Sequence, residues 1–279
     1  MSLIRGEASA SKEDERAIST IAALLARIDA LPAGACGTFA FGGNPPASML
    51  RVEQRRICWA TSDQSSRLTD RLRRAIDAPA GALDVLFRDC RDRGIPLGQT
   101  LVDRGWISPA QFRSILVEHT AAATARIAAA GMEAVWVPSR EGRHDAQFTF
   151  STSEILAHVA DSEWGPLAQL ARERLSNVLQ NGGRGCAYVP TCDGLLPLGL
   201  AGEELEVQEM IALGAWAERA LAGAARLSDG AAFISLSSFD GDSLSAWSRD
   251  GFVYVTVCSE RSDLACVLAH VREQSEESR

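Results

Sequence analysis

The chain has 279 residues, 46% of them hydrophobic and 23% charged, which is enough material for two domains with a core in each. Its apolar runs, such as Ile21 to Leu25, fall far short of the roughly 18 residues that cross a bilayer, so no membrane insertion is expected. The net charge of −8 is lopsided: residues 1–160 hold 19 Lys+Arg against 18 Asp+Glu, and residues 161–279 hold 9 against 18. A half with that acidic surplus repels a polyanion, which argues against a nucleic-acid partner.

Residues 1–16 are polar and charged where a signal peptide would be apolar, so a cytoplasmic protein is expected. A helix follows from Ala17 to Ala30, with Ile18, Ile21, Leu25 and Ile28 at helical spacing, and Leu31-Pro32-Ala33-Gly34 stops it. The period then changes to two. Gly37 to Phe41, Met49 to Val52 and Arg56 to Ala60 read as a small β-meander, separated by Gly42-Gly43-Asn44-Pro45-Pro46 and by Glu53-Gln54-Arg55. From Ser65 to Gly131 the pattern is helical, broken at Gly94-Ile95-Pro96 and at Gly105-Trp106-Ile107-Ser108-Pro109. There Ser108 is placed to cap a long helix and Pro109 to open it. Ala134 to Val137 and Gln147 to Phe150 read as two further strands.

A Gly-Pro pair within Asp161 to Pro166 marks the expected domain boundary, where the charge balance also changes. Beyond it the order is helix (Leu167 to Leu179), two strands (Cys186 to Pro190, Leu195 to Leu200), a long helix (Glu203 to Ala225), a strand (Ala231 to Ser237), a hairpin and a closing helix (Asp263 to Arg272). The hairpin, Ser243 to Cys258, turns on Asp250-Gly251, a pair suited to the positive φ values of a type I′ turn. The expected fold class is α+β: an N-terminal β-meander with a helical insertion over about 81–131, spanning 17–160, then an α/β sandwich with a five-stranded antiparallel sheet over 164–275.

No catalytic motif is present. The four histidines, His119, His144, His158 and His270, are isolated in sequence, and no serine sits in a G-x-S-x-G elbow. The fold could still bring Cys58 or Ser48 to His144, although surface or helix-face histidines are the ordinary outcome. Seven cysteines, an odd and scattered number, suit a reducing compartment and give no zinc spacing, so no metal and no cofactor is expected. The arginines at 55, 56, 67, 71, 73, 74, 88, 91 and 93 are interleaved with Asp63, Asp70, Asp77, Asp84, Asp89 and Asp92, the pattern of a solvated face. Small residues surround Trp216 on the long helix, including Ala212, Gly214, Ala215 and Ala217. They suit close helix pairing in a homodimer.

Within the second half, Asp193-Gly194-Leu195-Leu196-Pro197-Leu198 and the helix-to-hairpin succession after it resemble the Roadblock family of dynein light chains and GTPase regulators. The resemblance implies dimerisation through the long helix and a sheet edge, docking to a Ras-like GTPase, and no chemistry. Trp216, Trp247 and Tyr254 read as core or dimer interface, and Ala212 and Arg219 stand with them as candidate partner or dimer-interface residues. In the first half, GTFAFGG, MLRVEQRRICWA and FTFSTSEI resemble the bacterial PATAN-type regulatory domain, which implies a response-regulator-associated role. The segment Pro96 to Ser108, continuing through Phe112, Leu116 and His119, is similar to the N-terminal domain of secretion and pilus assembly ATPases. Some of these bind cyclic di-GMP, which would place a nucleotide at Leu97, Gly98, Leu101, Gly105 and His119. Pro96 stands where the binding members have Arg, and His119 where they have Gln. The expectation is therefore a non-enzymatic regulatory or scaffolding protein working through protein contacts, with the cyclic di-GMP receptor as the alternative.

Overall fold

A computed structural model describes residues 12–63, 67–76, 78, 81–93, 95, 97–139, 144–179, 183–191, 194–202, 205–225, 233–237, 242–259, 264–265, 267–269 and 271. The fold is α+β, with one four-stranded and one five-stranded antiparallel sheet. Its two compact units are not consecutive halves. One comprises residues 1–31 together with 151–279, and the other residues 32–150.

In the unit of residues 32–150, β1 (Cys36–Phe41), β2 (Ser48–Glu53) and β3 (Arg56–Ser62) form the expected meander, and β4 (Ala134–Pro138) returns to pair with β1. Alternation makes this sheet two-faced. Phe39, Phe41, Leu50, Val52, Ile57 and Ala60 are buried, while Thr38, Ala40, Met49, Arg51, Trp59 and Thr61 are half-exposed. Between β1 and β4 run α2 (Leu68–Ala75), α3 (Ala82–Arg93), α4 (Leu97–Asp103) and α5 (Pro109–Ala129). Helix α5 packs on β3. It opens on the expected cap: the Ser108 hydroxyl accepts from the Gln111 N–H, and the Gln111 side chain accepts from the Ser108 N–H.

The expected strand at Gln147 to Phe150 is a correction. The Asp145 carboxylate accepts the Gln147 N–H and starts a 3-10 turn over Ala146–Phe148. Only Phe150 keeps a sheet contact, a single bridge to Ile57.

In the other unit, α1 (Lys12–Asp29), α6 (Thr152–Trp164), α7 (Pro166–Val178) and α8 (Val207–Ala225) surround a sheet of order β6-β5-β9-β8-β7. Its strands are β5 (Arg184–Thr191), β6 (Gly194–Gly202), β7 (Phe233–Ser237), β8 (Ser243–Arg249) and β9 (Phe252–Cys258). The β8–β9 turn is the one expected, with Asp250 at φ 50° and Gly251 at φ 83°. Tyr188 on one sheet face hydrogen-bonds the Met210 carbonyl of α8, and Tyr254 on the opposite face lies beside Arg174 of α7. Helices therefore lie on both faces of the sheet, with α7 over β5 and β6. Of the expected closing helix, residues 264–265, 267–269 and 271 are helical and the others lie outside the described residues.

The expected boundary at Asp161 to Pro166 is also corrected. Gly165, at φ 51°, is a corner between α6 and α7 within one unit. Helix α1 buries Ile21, Leu25 and Ile28 and packs against α6 and α8. Its last residue, Asp29, then ties the helices together. One oxygen accepts from the Thr152 hydroxyl at 2.7 Å and the other from the Val207 N–H, at the start of α8, at 2.8 Å. Burial pushes the Asp29 carboxyl up from its usual value, against those hydrogen bonds.

Candidate functional site

Among the described residues, a glutamate, a cysteine and a histidine gather where β2 turns into β3. Glu53 ends β2, and the two-residue turn Gln54-Arg55 sends the chain back at Arg56 with φ values of 52° and 63°. The register then slips: Arg51 faces Trp59 while Val52 faces Ile57, so Cys58 is the extra residue of a β-bulge. A bulge re-aims the side chain it carries. Ile57 and Cys58 are both buried in consecutive positions, which alternation alone would not allow. His144 arrives from the chain leading to the 3-10 turn. Its Nδ1 lies 3.0 Å from Glu53 Oε1, and its backbone N–H donates to Glu53 Oε2 at 3.3 Å.

Three different donor atoms thus converge, a Glu53 oxygen, Cys58 Sγ and a His144 ring nitrogen, all within 4.8 Å of one another. They adjoin an open cleft lined by Glu53, Gln54, Arg56, His144, Ala146 and Thr149. Arg51 donates to Glu53 Oε1 from Nε at 3.1 Å and from Nη2 at 2.8 Å. Arg56 is turned onto the Thr149 hydroxyl and carbonyl. Burial works against the Glu53 carboxylate, but the bonds from Arg51 and His144 outweigh it and hold this group below its usual value. Burial, with the Glu53 charge beside it, pushes the Cys58 thiol up to about 12. That thiol is a poor nucleophile at neutral pH.

The fold brings Cys58 to His144, where the sequence favours isolated surface or helix-face histidines. Sequence reasoning had Ser48 as another partner, but Ser48 lies at the opposite end of β2, five residues or about 17 Å from Glu53. Glu53 was missed. The bulge, which follows from no local spacing, is what aims Cys58 at it.

The interface residues divide. Ala212 and Arg219 are exposed on α8 and Trp216 is half-buried, on the side away from the buried stripe Val207, Met210, Gly214 and Ala217. For Trp247 and Tyr254 the core option holds over the interface: they are 5% and 2% exposed. Their rings stack 5.4 Å apart with Phe233 alongside Trp247, so both serve internal packing.

At the alternative nucleotide segment, Leu101 is fully buried and His119 nearly so. Gly98 meets the Phe112 ring so closely that a Cβ there would lie 2.3 Å from it. Leu97 is half-buried, and Gly105 sits at φ 68° after α4. Burial, with Arg71 nearby, lowers the His119 pKa. The arginine-rich region is internally matched where described: Arg73 pairs with Asp70 and Asp84, Arg71 with Glu118, and Arg93 with Asp89.

No protein-family model, curated protein or solved structure matches the chain. Among the described residues no helix is long and apolar enough to cross a membrane.

Proposed function

We propose that the chain is a non-enzymatic regulatory or scaffolding protein, and that its unit of residues 1–31 and 151–279 is a Roadblock-like homodimerising module. A Ras-like GTPase or a two-component signalling protein is the partner class that the resemblance implies. The observation that supports the reading is a pair of exposed apolar residues on a helix and an edge strand that pack together. Helix α8 presents Ile211, 40% exposed, on its outer side, and it packs against β7, an edge strand with Leu236 56% exposed. The edge of a sheet invites pairing with another chain, and a second copy packed there would cover both residues by two-fold symmetry.

Light scattering at micromolar concentration tests this reading. A mass of two chains is expected, falling to one chain in Ala212→Glu, which buries an unpaired charge if the helices meet. One chain's mass for the unaltered protein would overturn the dimer. A capture experiment with immobilised protein then addresses the GTPase. The cyclic di-GMP reading has less support, because Leu101 and His119 are committed to the core.

A further inference from the structure

Glu53, Cys58 and His144 have no task in that reading, yet the fold invests in bringing them together. A two-residue turn without glycine, a bulge and a bond between segments 91 positions apart all converge on one point. The bland account is that Glu53 merely pins the 144–150 segment to the sheet. That account explains Arg51 and His144 on the carboxylate, but it leaves unexplained why a bulge turns a thiol to the same place.

We propose that Glu53, Cys58 and His144 form a binding site for a borderline-soft divalent cation of the Zn²⁺ type, with a fourth position open to the adjoining cleft. The donor set is what selects this class: thiolate, imidazole and carboxylate are the three ligand types of protein zinc, and hard cations avoid sulfur. Bond lengths of about 2.0–2.3 Å place tetrahedral ligands roughly 3.3–3.6 Å apart. The three donor atoms, all within 4.8 Å of one another, close by about an ångström to reach that spacing. His144, with a side chain 35% exposed, is free to make that movement.

Arg51 is the competitor for Glu53, and the two carboxylate oxygens resolve the conflict. Arg51 stays on Oε1, and Oε2 exchanges the long bond from the His144 N–H for the cation. On binding, the Cys58 S–H bond breaks, sulfur keeps the electron pair and forms the metal–sulfur bond, and the proton leaves to solvent. The proton that His144 Nδ1 shares with Glu53 passes through solvent to Nε2, which frees the Nδ1 lone pair for the metal. No electron is transferred. Arg56, tied to Thr149, lines the cleft at the side where a water or a partner's ligand would complete the shell.

Titration of the full chain with Co²⁺ alone tests the site, since a cobalt–thiolate bond has its own charge-transfer absorption in the near ultraviolet. One equivalent is expected to give that band and tetrahedral visible bands, both reversed by a chelator. Cys58→Ser should abolish the charge-transfer band. His144→Ala, a change on a half-exposed side chain, should weaken binding about tenfold or more. It carries the test if the serine variant does not fold. Absence of the band with excess Co²⁺ would overturn the proposal, as would an unchanged band in Cys58→Ser or unchanged affinity in His144→Ala. Both results are independent of oligomeric mass, so this site and the dimer reading fail separately.

Discussion

His119 shows how one buried side chain sets a pH dependence. It lies on α5, 6% exposed, and both burial and the Arg71 charge disfavour its imidazolium. Its folded pKa therefore lies below the ordinary 6.5. Above that value the ring is neutral in both states and nothing is lost. As pH falls below it, the unfolded chain takes up a proton that the folded one resists, and stability declines. Melting of the protein followed from about pH 8 to pH 5.5 should show the transition of residues 32–150 moving to lower temperature. In His119→Gln the neutral amide removes this component at a cost of about 1 kcal/mol at neutral pH. An identical pH slope in the variant would show that His119 is not its source.

At the scale of elements, the β2–β3 turn carries the clearest strain. Gln54 and Arg55 both occupy the left-handed region, which costs a residue with a Cβ about 1–2 kcal/mol. The β8–β9 turn solves the same geometry with Asp250-Gly251. Arg55→Gly should accordingly stabilise the protein by about 1 kcal/mol, read as a higher urea midpoint at unchanged slope; a lower midpoint would mean that the arginine side chain outweighs its backbone. The contrast also marks what was legible in the sequence. Alternating side chains and turn residues define each strand of both sheets within a residue or two, because periodicity and turn chemistry are local. The 147–150 segment read as a strand for the same local reason, yet Asp145 captures the Gln147 N–H and diverts it into a 3-10 turn. Trp247 and Tyr254 read as core or interface, because a single strand does not tell which of its faces is covered. Cys58 and His144 carried the least signal of all. They stand 86 residues apart, and a register slip decides their meeting.

The whole molecule turns on where the chain crosses between its units, at 31–32 and at 150–151. Asp29 and Thr152 are joined at 2.7 Å across those crossings, so the two chain ends left by removing residues 32–150 lie side by side. Such a unit is an insertion into a loop, the kind of site where domains are gained and lost without disturbing the host. Joining residue 31 to residue 151 through a short Gly-Ser linker should give a chain that melts in one cooperative transition. The fragment 164–275, cut where Gly165-Pro166 suggests a boundary, should not. It lacks α1 and α6, whose residues Ile21, Leu25, Ile28, Ile155 and Leu156 are all fully buried. At about 1.5–3 kcal/mol for each such side chain, the loss is as large as the 5–15 kcal/mol by which an ordinary domain is stable. It also leaves the Val207 N–H of α8 without the Asp29 carboxylate. Circular dichroism of the two chains decides between the boundaries. A cooperative melt of 164–275 would mean that the first helix is an accessory to that unit, and its absence would mean that the host domain is built from both ends of the sequence.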